Sequence, residues 1–166
     1  GQTGCIIASS GYFVAYPAST SQTAAGPGHY VNGTGATAQT PCTVGAYQPS
    51  SAQTTCFAAS PGYYVPVTGQ ANQTICNGGT YQPNSGQREC LNADPGHYVP
   101  NQGATNQTQC SLGTYQPMSG QWFCQNAEPG HYVDDVGAIS QTPCSVGEYQ
   151  TASGQTSCLT TSAGYY

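Results

Sequence analysis

Glycine returns every seventeen residues through this chain, at Gly11, Gly28, Gly45, Gly62, Gly79, Gly96, Gly113, Gly130, Gly147 and Gly164. An aromatic follows each by two: Phe13, then Tyr30, Tyr47, Tyr64, Tyr81, Tyr98, Tyr115, Tyr132, Tyr149 and Tyr166. A small residue follows by seven: Ala18, Gly35, Ala52, Gly69, Gly86, Gly103, Gly120, Gly137 and Gly154. Three columns in one register are the signature of a repeat architecture, in which each unit buries its surface against its neighbours.

The unit has two forms. The long form, as in Gly96–Cys110, sets Cys fourteen after the Gly; the short form, as in Gly79–Cys90, sets it eleven after. They alternate from Gly28, so the full period is 34. The alternation fails once: Gly11 and Gly28 both open long-type units, and Ala25 stands where the first would carry Cys. The boundaries that follow are a partial repeat and degenerate long unit at 1–25, four repeats at 26–59, 60–93, 94–127 and 128–161, and the start of another unit at 162–166.

Each unit reads as a β-hairpin. G-x-Y-x-P predicts a first short strand, the middle Gly or Ala a turn with φ > 0, and the A-T-x-Q-T or Q-x-x-C stretch a second strand. Proline in these strands restricts them to short edges. No window carries a 3.6-residue apolar pattern, which predicts little or no helix. The expected fold is all-β: an elongated, disulfide-stapled rod of tandem 17/34-residue hairpins.

Composition says what such a fold must be held by. Only 4% of residues are charged, with a net charge of −5 and thirteen Tyr as the main bulky apolar residues. Such a chain cannot bury one sizeable apolar core, so covalent links must carry many small ones. The nine cysteines supply them and imply an oxidising, extracellular or cell-surface setting. From Cys42 the spacings run 14, 20, 14, 20, 14, 20, 14. Pairing across 14 gives Cys42–Cys56, Cys76–Cys90, Cys110–Cys124 and Cys144–Cys158 and leaves Cys5; pairing across 20 strands three cysteines. A closed loop of this size stabilises by roughly 3 kcal/mol in the chain-entropy model. For Cys5 two readings stay open: a partner fourteen residues earlier in a longer chain, since GQTGC at 1–5 repeats GQTSC at 154–158, or an intermolecular bond. The opening at Gly1, without Met or signal peptide, reads as a mature or excised piece of something longer.

The residues Cys-x-x-Gly-x-Tyr-x-Pro-x-x-Gly-Gln-x-x-Cys, as at Cys76–Cys90 and Cys110–Cys124, resemble the ephrin-receptor-like cysteine-rich repeat, itself akin to tumour-necrosis-factor-receptor modules. The resemblance implies a ladder of small β modules, each closed by a Cys–Cys bond. In that family a C-x-x-C pair commonly joins modules, whereas Ala8, Ala59, Ala93 and Ala127 hold the second place here, so the long unit has lost its own bridge. In this the chain is more similar to degenerate arrays of large microbial and algal extracellular surface or filament proteins than to an animal receptor.

Chemistry beyond the repeat is sparse. Asn32, Asn72 and Asn106 open N-x-Thr sequons, all in long units, which makes covalent glycans the expected attachment. No other cofactor and no metal is expected: there is no C-x₂-C cluster, and His29, His97 and His131 occupy a column also filled by Tyr12 and Tyr63. Asp134-Asp135 reads as a solvated acidic turn. Trp122 and Phe123 replace polar residues beside Cys124 and form a possible contact patch. No unit gathers reactive groups, so no catalytic residue and no enzyme is expected. One Arg excludes a phosphate-tracking groove and hence nucleic acid, and no apolar run reaches the ~20 residues of a membrane helix. The expected function is a structural segment of an extracellular, glycosylated filament, fibril or stalk. Its partners are copies of itself or adjacent segments, joined end to end. The alternative is a ligand-binding or adhesive ectodomain.

Overall fold

A computed structural model describes residues 5–162. Among them there is no helix, and eighteen two-residue strands form nine antiparallel pairs, each within one seventeen-residue unit. Tyr12–Phe13 (β1) pairs with Thr23–Ala24 (β2), with Tyr12 opposite Ala24. The same register recurs to Glu148–Tyr149 (β17) and Leu159–Thr160 (β18), with Glu148 opposite Thr160. The fold is all-β and built of disulfide-stapled hairpin repeats. The boundary expected at 162–166 lies, apart from Ser162, outside the described residues.

The second strand is not where the sequence places it. In the short units it comes after the Q-x-x-C stretch, as at Leu91–Asn92 beyond Cys90. The polar groups of Q-x-x-C are engaged elsewhere: the Gln53 carbonyl accepts from Val31 N–H of the preceding unit at 2.9 Å, and the Thr55 carbonyl accepts from the Gln48 carboxamide at 2.7 Å. With those acceptors taken, the hairpin ladder closes only on the two residues beyond Cys56, Phe57–Ala58.

Two compact bodies divide the chain. One runs to Ile75 and also takes Gln82–Cys90; the other holds Cys76–Tyr81 and the chain from Leu91 on. In the first, Gly28 N–H donates to Gln48 O of the next unit at 2.7 Å, and Gly69 N–H donates back to Cys42 O at 2.8 Å. The second repeats both bonds, from Gly96 to Gln116 O at 2.7 Å and from Gly137 to Cys110 O at 2.8 Å. Backbone groups that a longer sheet would pair within itself are thus satisfied between units.

The buried residues form three columns, the repeated glycine itself from Gly11 to Gly113 and one position on either side of it. Three residues before the Gly, from Gly11 to Gly130, stands Ala8, Ala25, Cys42 or Ala59 in the first body and Cys76, Ala93, Cys110 or Ala127 in the second, all buried; Cys144, before Gly147, is half-buried. Three residues after it, Val alternates with Gln: Val31, Gln48, Val65 and Gln82, then Val99, Gln116, Val133 and Gln150. The aromatic column is only half-buried from Phe13 to Tyr132, so it lines the core rather than filling it.

Candidate functional site

What the chain presents to its surroundings depends on how each hairpin is closed, and the two unit types close differently. In short units Cys42–Cys56, Cys110–Cys124 and Cys144–Cys158 are bonded, with Cα atoms 5.7–5.8 Å apart, within the ordinary range for a bridge. Cys76 and Cys90 are also disulfide-bonded. Cys5 is exposed and is the free thiol among the described residues.

In long units glutamine stands at the place of the second cysteine. The carboxamide oxygens of Gln22, Gln39, Gln73, Gln107 and Gln141 accept backbone N–H bonds from Ser9, Gly26, Ser60, Asp94 and Glu128, thirteen residues earlier, at 2.6–2.8 Å. The long unit therefore lacks a disulfide but keeps a non-covalent clip in the same register. Its buried alanine column stands where the first cysteine of the bridge sits in the other form.

A second set of glutamines stiffens the short units. Gln48, Gln82, Gln116 and Gln150 are buried and donate to the carbonyl of the residue just before the bridged cysteine (Thr55, Glu89, Phe123 and Ser157) at 2.7–2.9 Å. Their Oε1 atoms accept from the amide two residues on at 3.1–3.2 Å. No buried side-chain polar atom among the described residues lacks a partner, which is what makes a polar core column tolerable. Residue type alone singles out neither glutamine set. The signal that could have found them is Gln at a period of 34 in two columns.

The dipeptide ahead of Cys56, Cys90, Cys124 and Cys158 varies from unit to unit: Thr54-Thr55, Arg88-Glu89, Trp122-Phe123 and Thr156-Ser157. Trp122 and Phe123 are 61% and 46% exposed and meet edge to face, ring centroids 5.0 Å apart. The two rings form an exposed aromatic pair on the surface. The sequon residues Asn32, Asn72 and Asn106 are all exposed. In two of the sequons the middle residue is a clip, Gln73 or Gln107, so the acceptor Asn and the Thr flank a side chain turned to its own hairpin. His29, His97 and His131 are half-buried, each with Nδ1 near the carbonyl of the proline two before, at 3.1–3.4 Å. No group of three or more potential metal ligands occurs among the described residues. Asp134 and Asp135 are exposed.

Two grooves mark the first body. One, of about 390 Å³, lies among Cys5, Ile6, Ile7, Val14 and Tyr16. The other, of about 320 Å³, lies among Tyr30, Asn32, Thr43, Ala46, Thr54 and Thr55. No helix among the described residues is long and apolar enough to cross a membrane.

Fold and clips together define a cysteine-rich repeat domain of the extracellular type. Residues 62–110 match the family model described as tyrosine-protein kinase ephrin type A/B receptor-like, and the disulfide-closed hairpins fit a cysteine-rich repeat of that kind. No curated protein matches it.

Proposed function

We propose that this chain is a structural repeat segment of an extracellular, glycosylated filament, fibril or stalk, joined end to end with copies of itself or with neighbouring segments of a longer chain. The observation that carries this reading is the uniform coupling of units. The bond from Gly28 to Gln48 O recurs from Gly45 to Val65 O, and that from Gly96 to Gln116 O recurs from Gly113 to Val133 O. A surface that repeats in this way offers the same donors and acceptors to a further unit, the geometric requirement for head-to-tail growth. On this reading the chain is not an enzyme, and the exposed Asn32, Asn72 and Asn106 carry glycans that keep a chain with 4% charged residues in solution.

One observation favours a second reading, a ligand-binding or adhesive ectodomain. Trp122 and Phe123 place exposed aromatic surface on a clamped backbone, the kind of rigid aromatic anchor that dominates binding energy at interfaces. Electron microscopy of native material separates the two. Continuous filaments with an axial repeat are the expected result; discrete particles that capture a defined ligand through Trp122 would favour the second reading and end the first.

A further inference from the structure

The groove of about 320 Å³ in the first body is lined by the acceptor residue of a sequon. Asn32 is exposed, and Tyr30, two residues before it, is half-buried in the strand His29–Tyr30. Val31 between them is buried. Alternate residues of an extended segment share a side, so Tyr30 and Asn32 flank the inward Val31 on the opposite side and both line the same groove. The same groove is lined by Thr43, Thr54 and Thr55, all exposed.

This wall is fixed before anything binds. The Thr55 carbonyl is held by Gln48 Nε2 at 2.7 Å, and the next residue, Cys56, is bonded to Cys42. A preformed wall binds without the cost of ordering it. Gly33, the middle residue of the sequon, has nothing within 4 Å of where a Cβ would lie, so the approach to Asn32 is open.

The lining has the chemistry a sugar ring needs. The face of an aromatic ring carries negative charge density and attracts polarised C–H groups, and hydroxyls both donate to and accept from sugar hydroxyls and an acetamide. The other two sequons lack this arrangement: Gln70 precedes Asn72 by two, and Ala104 precedes Asn106.

We propose that the groove seats the proximal N-acetylhexosamine of a glycan linked to Asn32, its apolar ring face against Tyr30 and its polar groups toward Thr54 and Thr55. The linkage forms when the Asn32 carboxamide nitrogen attacks the anomeric carbon of a lipid-diphosphate oligosaccharide in the secretory pathway. The new C–N bond replaces the C–O bond to the diphosphate, which leaves, and the amide proton passes to a base. The proposal rests on the reading of the chain as a glycoprotein, and it makes Asn32 a packed glycan and Asn72 and Asn106 projecting ones.

The test uses the full chain secreted from a eukaryotic host, with occupancy mapped at each Asn. Its glycans are trimmed enzymatically to a single N-acetylglucosamine. The NMR spectrum should then show nuclear Overhauser contacts from the Asn32 sugar to the Tyr30 ring. The sugar protons should shift upfield relative to those on Asn72 and Asn106, and trimming at Asn32 should be several-fold slower. Tyr30→Leu keeps the bulk and removes the ring face; it should abolish the upfield shift while leaving occupancy unchanged. Should that variant fail to fold, the contacts in the unaltered chain decide alone. A glycan on Asn32 that makes no contact with Tyr30 overturns the proposal and leaves the glycoprotein reading standing. So does a bare Asn32 beside an occupied Asn72 or Asn106. Bare asparagine at all three sites overturns both.

Discussion

Gly28 and Gly69 hold nearly the same backbone angle, φ 78° and 74°, in a region that L side chains rarely enter. Alanine at either position pays the left-handed penalty of about 1–2 kcal/mol. Space then separates them. A Cβ on Gly28 would lie 2.0 Å from the Gly69 carbonyl oxygen, a backbone atom with no room to retreat. A Cβ on Gly69 would meet only His29 Cε1 and Pro41 Cβ at 3.8 Å, ordinary contact. Ala18 and Ala52, at φ 61° and 58°, already occupy the Gly69 column. Gly69→Ala should therefore fold and lose about 1–2 kcal/mol in denaturant titration. Gly28→Ala should lose more than about 4 kcal/mol, because overpacking adds to the angle penalty. Equal losses would mean that the close approach of the two glycine columns does not hold the units together.

At the scale of the hairpin, the disulfide and the glutamine clip are two closures of one frame. Cys42 N–H donates to Gly28 O, and Ala59 N–H donates to Gly45 O, both at 2.8 Å, so the cysteine and alanine columns sit alike on the backbone. Gln73 stands fourteen residues after Ala59, as Cys56 stands after Cys42. The double substitution Ala59→Cys with Gln73→Cys should therefore close a further bridge and raise stability by roughly 3 kcal/mol, read as a mass two hydrogens lighter without reductant and a higher denaturation midpoint. Gln73→Cys alone should lower stability by about 1 kcal/mol, the worth of the lost bond to Ser60. The two closures also differ in how legible they are in the sequence. The Gly, Tyr and Cys columns announce the hairpins because each has a strong, type-specific reason to recur: a left-handed turn, bulk, a covalent bond. The clip is hidden because Gln73 reads as a surface residue, and Gln48 is hidden because hydropathy ranks it as exposed. Carboxamides acquire these roles only when particular backbone groups face them, and which groups do so is decided by the bonds between units. The strand after Cys56 lies beyond its expected place for the same reason.

For the molecule as a whole the question is whether the cross-links or the hydrogen-bonded columns keep it folded. Among the described residues the buried side chains are Ala, Val, Cys and Gln, with no Leu, Ile or Phe, so the burial that drives ordinary folding, about 1.5–3 kcal/mol for each large side chain, is mostly missing. The inter-unit hydrogen bonds replace bonds to water and return only about 0.5–1.5 kcal/mol each, against about 1–2 kcal/mol of backbone entropy for every residue ordered. Removing four bridges at roughly 3 kcal/mol each takes away as much as the 5–15 kcal/mol that separates folded from unfolded domains. Reduction and alkylation should therefore unfold every unit at 25 °C, not only the short ones, because the long units from Gly28 on take backbone partners from the short units beside them, as Gly28 does from Gln48, and the Gly11 unit in turn leans on the Gly28 unit through the bond from Gly11 to Val31 O. The tyrosine near-ultraviolet circular dichroism should vanish and amide exchange protection should fall throughout in one step. Protection surviving at Val65 or Val99 in the alkylated chain would mean that the buried columns suffice without sulfur. Loss confined to the bridged units would mean that the hairpins are independent, and the coupling on which end-to-end growth depends would then be too weak to support it.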